Sequence, residues 1–134
     1  MLLTIFVSLQ FKYSQSFPFY RPKLTVYITS NLTDLELGVH CKDKNNDIKF
    51  QKLQFGESYT FTFRPNVIVE NSLYFCGFSW FNEFHYFDIY VEQRDEDTCK
   101  TECHWKIYKT GPCKLRPTFE ECYHWHPNVV VKGK

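Results

Sequence analysis

The chain has 134 residues, a formal net charge of +1 at pH 7, 43% hydrophobic residues and 19% aromatic residues. Acidic and basic residues are interspersed, so the sequence lacks the basic patch that usually marks nucleic-acid binding, and we expect no nucleic-acid partner. The length fits one domain, and nothing after the first residues is long and apolar enough for a bilayer span, so we expect no membrane insertion.

The first nine residues, Met1 to Leu9, form a short apolar run typical of the hydrophobic part of a signal peptide. Ser14 and Ser16 place small residues where a signal peptidase inspects the chain, which predicts a signal peptide over 1–16 and one domain over 17–134. The run is brief and no Lys or Arg precedes it. A truncated start of a longer leader would explain both features, and the alternative is a buried first strand.

Asn31-Leu32-Thr33 is a sequon for N-glycosylation, with no proline at its middle position. It follows the alternating segment Lys23–Thr29 and lies in a Ser-Asn turn, where we expect it to be exposed. Together with the leader-like start and the even number of cysteines, it indicates a secreted protein with a sugar at Asn31.

Short segments of alternating apolar and polar residues predict strands joined by polar turns. In chain order these segments cover residues 24–29, 35–42, 48–55, 59–63, 73–80, 84–93 and 104–108. The apolar parity changes after Phe50, which predicts a bulge near Gln51-Lys52. Leu73–Trp80 is apolar at both parities and carries no charge, which is typical of a central strand buried on both faces. The spacing indicates an antiparallel sandwich or barrel, and Pro117–Glu121 could form a single helical turn.

Six cysteines in so short a chain indicate an oxidised, disulfide-framed domain: Cys41, Cys76, Cys99, Cys103, Cys113 and Cys122. Residues four apart on a strand are about 13 Å apart, so Cys99 and Cys103 can bond only across a turn. Cys113 and Cys122 bracket a loop that contains proline, which leaves Cys41 with Cys76. Fifteen pairings are formally possible, so this assignment is a prediction and not a derivation.

Several motifs carry a resemblance to a known family. They are Val39–Lys44, Tyr59–Phe63, Tyr74-Phe75-Cys76, Phe87–Tyr90, Cys99 and Cys103 followed by Trp105, and Gly111-Pro112-Cys113. In order and spacing over roughly Lys23 to Cys122, the chain resembles the plant S-protein homologues of the self-incompatibility S1 type. It departs from their common pattern at Ile48-Lys49, where Leu-Gly is frequent, and in its extra Cys113 and Cys122.

The resemblance implies an all-β fold: a small, secreted, disulfide-stabilised antiparallel β-sandwich of two sheets with a short flanking helical segment. The founding members of the family are stigmatic ligands that trigger rejection of self pollen, and most relatives are secreted proteins of undetermined role. We therefore expect an extracellular protein ligand, a monomer without cofactor, that binds an unidentified cell-surface receptor.

Binding residues concentrate on loops that a rigid scaffold holds, so three loops are candidates for partner contact: Lys42–Asp47, Pro65–Asn71 and Glu92–Glu102. Their charged candidates are Lys42, Asp43, Lys44, Asp47, Arg94, Asp95, Glu96 and Asp97. The alternative for each loop, taken singly, is a solvated turn without a partner.

Histidines and cysteines in the sequence suggest alternative functions. His124 and His126 would lie on one face of a strand and, with His104, could bind zinc, but an exposed C-terminal segment is favoured. His40 and Cys41 cannot form a nucleophilic pair on a strand, because neighbours point to opposite faces. Scattered histidines without a motif do not indicate a secreted hydrolase or nuclease, so no catalytic residue is predicted. A defence or structural protein of the apoplast is the remaining alternative.

Overall fold

The computed structural model describes residues 21–65 and 72–125, and the signal peptide predicted over 1–16 lies outside them. Within the described ranges the chain forms nine strands and one helical turn. In order these are β1 (Leu24–Ser30), β2 (Leu37–Lys42), β3 (Asp47–Leu53), β4 (Ser58–Phe63), β5 (Leu73–Trp80), β6 (Glu83–Val91), α1 (Glu92–Asp95), β7 (Glu102–Tyr108), β8 (Gly111–Leu115) and β9 (Glu120–Cys122). No helix in this part of the chain has the length and apolar character needed to cross a membrane.

The strands form two sheets. One has five strands in the order β4-β1-β7-β8-β9, and the other has four in the order β3-β2-β5-β6. The predicted all-β antiparallel sandwich is confirmed, except for one parallel pairing that the sequence did not indicate. β1 runs parallel to β7, with Thr25 opposite Glu102 and Ser30 opposite Ile107.

The hydrophobic core lies between the two sheets because the strands alternate. In β1, Leu24, Val26 and Ile28 are fully buried, while the alternating residues Thr25, Tyr27 and Thr29 remain partly exposed. Aromatic rings join the sheets: the centroids of Phe61 and Tyr74 are 4.9 Å apart. Full burial of one large aliphatic or aromatic side chain contributes about 1.5–3 kcal/mol, so this interior dominates the stability of the fold.

The strand β5 is central, as predicted, but it is buried on one face only. Tyr74, Cys76, Phe78 and Trp80 point into the core, whereas the residues between them are partly exposed. The prediction of burial on both faces was wrong, because apolar side chains at the alternate positions need not be covered by a second layer.

The predicted bulge exists, but it lies earlier in β3 than residues 51–52. Cys41 is opposite Lys49 and Lys42 is opposite Asp47, so Ile48 is the extra residue. Lys49 takes a positive φ of 87°. The change of parity in the sequence therefore has its cause at the start of β3.

The helical turn also lies elsewhere than predicted. It is α1, which follows β6, whereas Pro117–Glu121 contains bends and the start of β9. β9 pairs with β8, with Leu115 opposite Glu120. Backbone pairing with a neighbouring strand therefore prevails over the local helical preference of this segment.

Three disulfides are present, in the pairing that the spacing favours: Cys41–Cys76, Cys99–Cys103 and Cys113–Cys122. Cys41 faces Cys76 across β2 and β5, and Cys113 faces Cys122 across β8 and β9. The remaining bond closes the turn that precedes β7. Two disulfides thus join neighbouring strands, and the third shapes a turn.

Candidate binding surface

The turn between β2 and β3, residues 42–47, is shaped by its own acidic side chains. The Oδ1 atom of Asp43 accepts hydrogen bonds from the backbone N–H groups of Asn45 and Asn46, at 2.9 and 2.6 Å. The Oδ1 atom of Asp47 accepts one from the backbone of Lys49 at 2.8 Å. These two carboxylates are therefore structural parts of the turn, and they are less available to a partner than the sequence indicated.

His40 adds a second contact to this turn. Its Nε2 atom lies 2.7 Å from Oδ1 of Asp47. The hydrogen bond from His40 lowers the pKa of the Asp47 carboxyl, with a smaller contribution from the Lys49 backbone. Asp47 is therefore an anion at neutral pH, held in place on the surface.

The basic residues of the same turn have a different environment. Lys42 and Lys44 are exposed, and neither forms an ion pair with any residue in the described ranges. Their ammonium groups project from a turn whose backbone the two aspartates fix. A rigid turn that presents two unpaired cations is suited to recognise an anionic partner.

A cleft of about 560 Å³ lies beside this turn, at the end of the sandwich where β4 ends and β5 begins. Its lining includes Asp43, Lys44, Arg64, Ser72 and Tyr74. One guanidinium N–H of Arg64 donates to the backbone carbonyl of Arg21, which holds the start of the described chain at this end. We refer to this end, with the turn 42–47, as the loop end.

Tyr74 forms part of the cleft wall but is 4% exposed. Burial, together with the negative charge of Asp43, raises the pKa of Tyr74 to about 12. The phenol is therefore neutral at physiological pH and can offer its hydroxyl group only as a hydrogen-bonding partner. The cleft can bind and orient polar groups, but this tyrosine supplies no phenolate for acid–base chemistry.

The residues that flank the predicted loop Pro65–Asn71 lie at the same end of the molecule. Its flanking residues Arg64 and Ser72 both line the cleft, whereas residues 66–71 lie outside the described ranges. Two of the three candidate loops therefore begin or end at one surface.

In the third candidate loop, Glu92–Glu102, the charged candidates Arg94–Asp97 do not form the exposed turn that the sequence predicted. Asp95 is fully buried, and its carboxylate lies 2.5 Å from the Nζ atom of Lys114. The Arg94 guanidinium donates to the same carboxylate and lies 5.2 Å from the ring centroid of Phe87. These residues fasten α1 to the sandwich, so only Glu96 and Asp97 remain exposed candidates.

No signal in the sequence reveals this arrangement. Lys114 is buried on β8, and a buried lysine requires an anionic partner, which Asp95 supplies. A buried lysine is not recognisable from one sequence, because lysine is nearly always exposed.

Asn31 lies at the opposite end of the sandwich from the turn 42–47. It follows β1, whose first residue, Leu24, pairs with Phe63 at the loop end and whose Thr29 pairs with Ser58 at the other. Seven residues of strand span about 20 Å. Asn31 is partly exposed, so a sugar can be attached there. Because the length of β1 separates Asn31 from the loop end, that sugar would leave the loop end open.

The histidines considered for zinc do not form a site in the described ranges. His104 lies on the outer face of β7, where it stacks on Tyr27 and contacts Glu102, and His126 lies outside the description. Donor atoms of Cys113, Glu120 and Cys122 lie within 4.8 Å of one another. The two sulfur atoms are bonded to each other, so no thiolate is available to a metal.

The sequence matches a family of plant proteins. The model of the family described as plant self-incompatibility protein S1 matches residues 25–125. S-protein homolog 2 of Arabidopsis thaliana is 41% identical over 115 residues, which cover 80% of this chain and 71% of the relative. S-protein homolog 5 of the same plant is 37% identical over 108 residues, covering 81% of each.

A solved structure has the same fold. It belongs to the SPH (self-incompatibility protein homologue) proteins, described as a widespread family of small, highly stable, secreted proteins from plants. The TM-score is 0.60 at 14% identity, with 79% of this chain and 96% of that chain covered. At this identity the likeness concerns the fold alone.

Proposed function

Because the chain belongs to the plant self-incompatibility protein S1 family, we propose that it is a secreted protein ligand that binds a cell-surface protein partner through its loop end. The observation that carries the proposal is the convergence of the turn 42–47 with Arg64 and Ser72 around one cleft. Loops that a rigid sandwich holds in fixed positions are the usual carriers of binding residues.

The charges at the loop end indicate which charge the partner carries. Lys42 and Lys44 are unpaired within the described ranges, Arg64 lines the same cleft, and Asp43 is engaged in the turn. The surface offered to a partner therefore carries three cations against the two carboxylates of the turn, Asp43 and Asp47, so positive charge is in excess. The partner presents an acidic patch, and rising ionic strength weakens the complex because exposed charges are screened by salt.

Two lysines of the turn can be substituted to test whether the loop end binds the partner. Lys42→Ser combined with Lys44→Ser removes the two cations and leaves Asp43 and Asp47 to maintain the turn. Substitution of exposed residues usually changes the free energy of unfolding by within about 0.5 kcal/mol, so the melting temperature should stay nearly constant. The matched control is Lys52→Ser with Lys109→Ser, which removes two exposed cations toward the opposite end of the sandwich.

The experiment has two steps. The secreted protein is cross-linked to intact plant cells to identify a surface protein, and binding of the purified partner is then measured at several salt concentrations. Weaker binding by the Lys42/Lys44 variant, with a shallower dependence on salt, supports the proposal, and the Lys52/Lys109 control should bind like the parent. Equal binding by both variants would exclude the loop end, and hydrolase or nuclease activity in the purified protein would favour an enzyme.

A further inference from the structure

The outer face of the four-stranded sheet is unusually aromatic for a surface. Phe50 on β3 is 53% exposed, and Phe84 and Tyr86 on β6 are 48% and 39% exposed. β3 and β6 are the two edge strands of this sheet, so the rings flank its centre. We call the surface formed by these rings the aromatic face.

Two glycines on the central strands leave room on the sheet for the rings of Phe50 and Phe84. A Cβ atom added to Gly38 on β2 would lie 2.9 Å from the Phe50 ring, and one added to Gly77 on β5 would lie 3.1 Å from the Phe84 ring. The rings therefore cover bare backbone that a side chain would otherwise occupy. Phe84 also packs edge-on against Tyr86, with centroids 4.9 Å apart, so the face is ordered before any ligand binds.

Strand register places the rings in a row. Phe50 is opposite His40, His40 is opposite Gly77, and Gly77 is opposite Tyr86. Three strand spacings separate the ends of this row, or about 14 Å. An extended ligand that crosses the strands can contact both edges of the face.

The centre of the aromatic face carries no unpaired charge. His40 is bound to Asp47, and Lys52 at the margin lies 3.8 Å from Glu36. The next row towards the loop end, which includes Lys42, holds the charges of this surface. A polyanion would find no free cation among the rings, so the charge pattern matches a neutral ligand.

Hydroxyl and imidazole groups lie among the rings, on Ser79, Tyr86 and His40. The surface thus combines apolar ring faces with hydrogen-bonding groups. Pyranose rings have the matching chemistry, because one side presents C–H groups and the rim presents hydroxyl groups. C–H groups are attracted to the negatively polarised face of an aromatic ring.

We propose that the aromatic face binds a neutral, linear polysaccharide, with sugar rings stacked on Phe50 and Tyr86. A large exposed apolar patch generally marks an interaction site, and an uncharged, hydroxyl-bearing chain is the occupant that the charges and the row of rings favour. The inference is independent of the binding proposed for the loop end, because it uses another surface and other residues.

The test uses the secreted, full-length mature protein. Its migration in native gels that contain soluble xyloglucan, mixed-linkage β-glucan or polygalacturonate is compared with migration in gels without polysaccharide, and affinities are then measured by calorimetry. The variant is Phe50→Ala with Tyr86→Ala. The matched control is Leu115→Ala with Phe119→Ala, which removes two exposed apolar side chains away from the face.

The expected result is retardation by at least one of the neutral glucans and about a tenfold loss of affinity in the Phe50/Tyr86 variant. The control should bind like the parent, and circular dichroism verifies that each variant is folded. Absence of binding to both neutral glucans overturns the proposal, as does stronger binding to polygalacturonate or equal binding by the Phe50/Tyr86 variant. A dimer in sedimentation that this variant abolishes would instead assign the face to a second copy of the chain.

Discussion

The Nζ atom of Lys114 on β8 lies 2.5 Å from the Oδ1 atom of Asp95 on the helical turn α1, and both side chains are buried. The hydroxyl group of Thr98 accepts a second hydrogen bond from the same ammonium group, at 2.9 Å. Arg94 contributes another cation to Asp95. One carboxylate therefore holds two basic residues of separate elements together.

Asp95→Asn should destabilise the protein strongly. It removes the anion and leaves two cations near each other in a buried place, for which the cost is typically about 3–5 kcal/mol. Chemical denaturation measures the free energy of unfolding. Glu96→Gln is the control, because that neighbouring carboxylate is exposed. A change of less than 1 kcal/mol in the Asp95 variant would show that the ion pair is dispensable.

The same carboxylate predicts an acid limb of stability. Burial alone would raise the pKa of Asp95, but hydrogen bonds from Arg94 and Lys114 outweigh it and lower the pKa below 3.8. Because the folded-state value is the lower one, the stabilisation is fully present above the unfolded value and is lost as pH falls through the folded value. Thermal unfolding between pH 2 and pH 5 should therefore change less steeply in the Asp95→Asn variant than in the parent.

The three disulfides should contribute unequally. Their sequence separations are 35, 9 and 4 residues, for Cys41–Cys76, Cys113–Cys122 and Cys99–Cys103. The chain-entropy model gives about 4, 3 and 2 kcal/mol for closures of these lengths. Paired Cys→Ala variants measured by calorimetry should follow that order, and peptide mass spectrometry without reduction should recover the three pairs. A reversed order would mean that local packing outweighs loop entropy.

A sugar on Asn31 should leave partner binding intact. Asn31 lies at the opposite end of the sandwich from the turn 42–47, so the glycan should not cover the loop end. Protein secreted by plant cells should lose mass on treatment with a glycosidase, and Asn31→Gln should abolish that loss while the affinity for the partner stays the same. Unchanged mass in the parent would show that the sequon is not used.

Phe81→Gly should keep or increase stability, although it removes an aromatic ring. Phe81 is 88% exposed and has a positive φ of 48° in the two-residue turn between Trp80 and Glu83. Such a conformation costs a residue with a side chain about 1–3 kcal/mol, and glycine adopts it freely. Phe119→Gly is the control, since its backbone has no positive φ. A lower melting temperature in the Phe81 variant would indicate that the ring makes contacts that stabilise the turn.

Local alternation predicted most of the strands, because burial of every second side chain leaves its mark in a short window of sequence. Tyr59 and Phe61 are buried as that pattern predicts. Contacts between distant parts of the chain were not predictable in this way. Asp95 is indistinguishable from a solvated aspartate until Lys114 is brought beside it, and Phe50 resembles a core residue until the pairing places it outside.

The parallel pairing of β1 with β7 has a consequence for the order of folding. The β2-β3, β2-β5 and β5-β6 pairings involve residues 37–91, so the four-stranded sheet can assemble from a nascent chain that ends there. β1 lies between β4 and β7 in the other sheet, and β7 is synthesised more than seventy residues later. Contacts of such long sequence separation slow folding. During translation β1 can therefore pair with β4 alone until β7 has been synthesised.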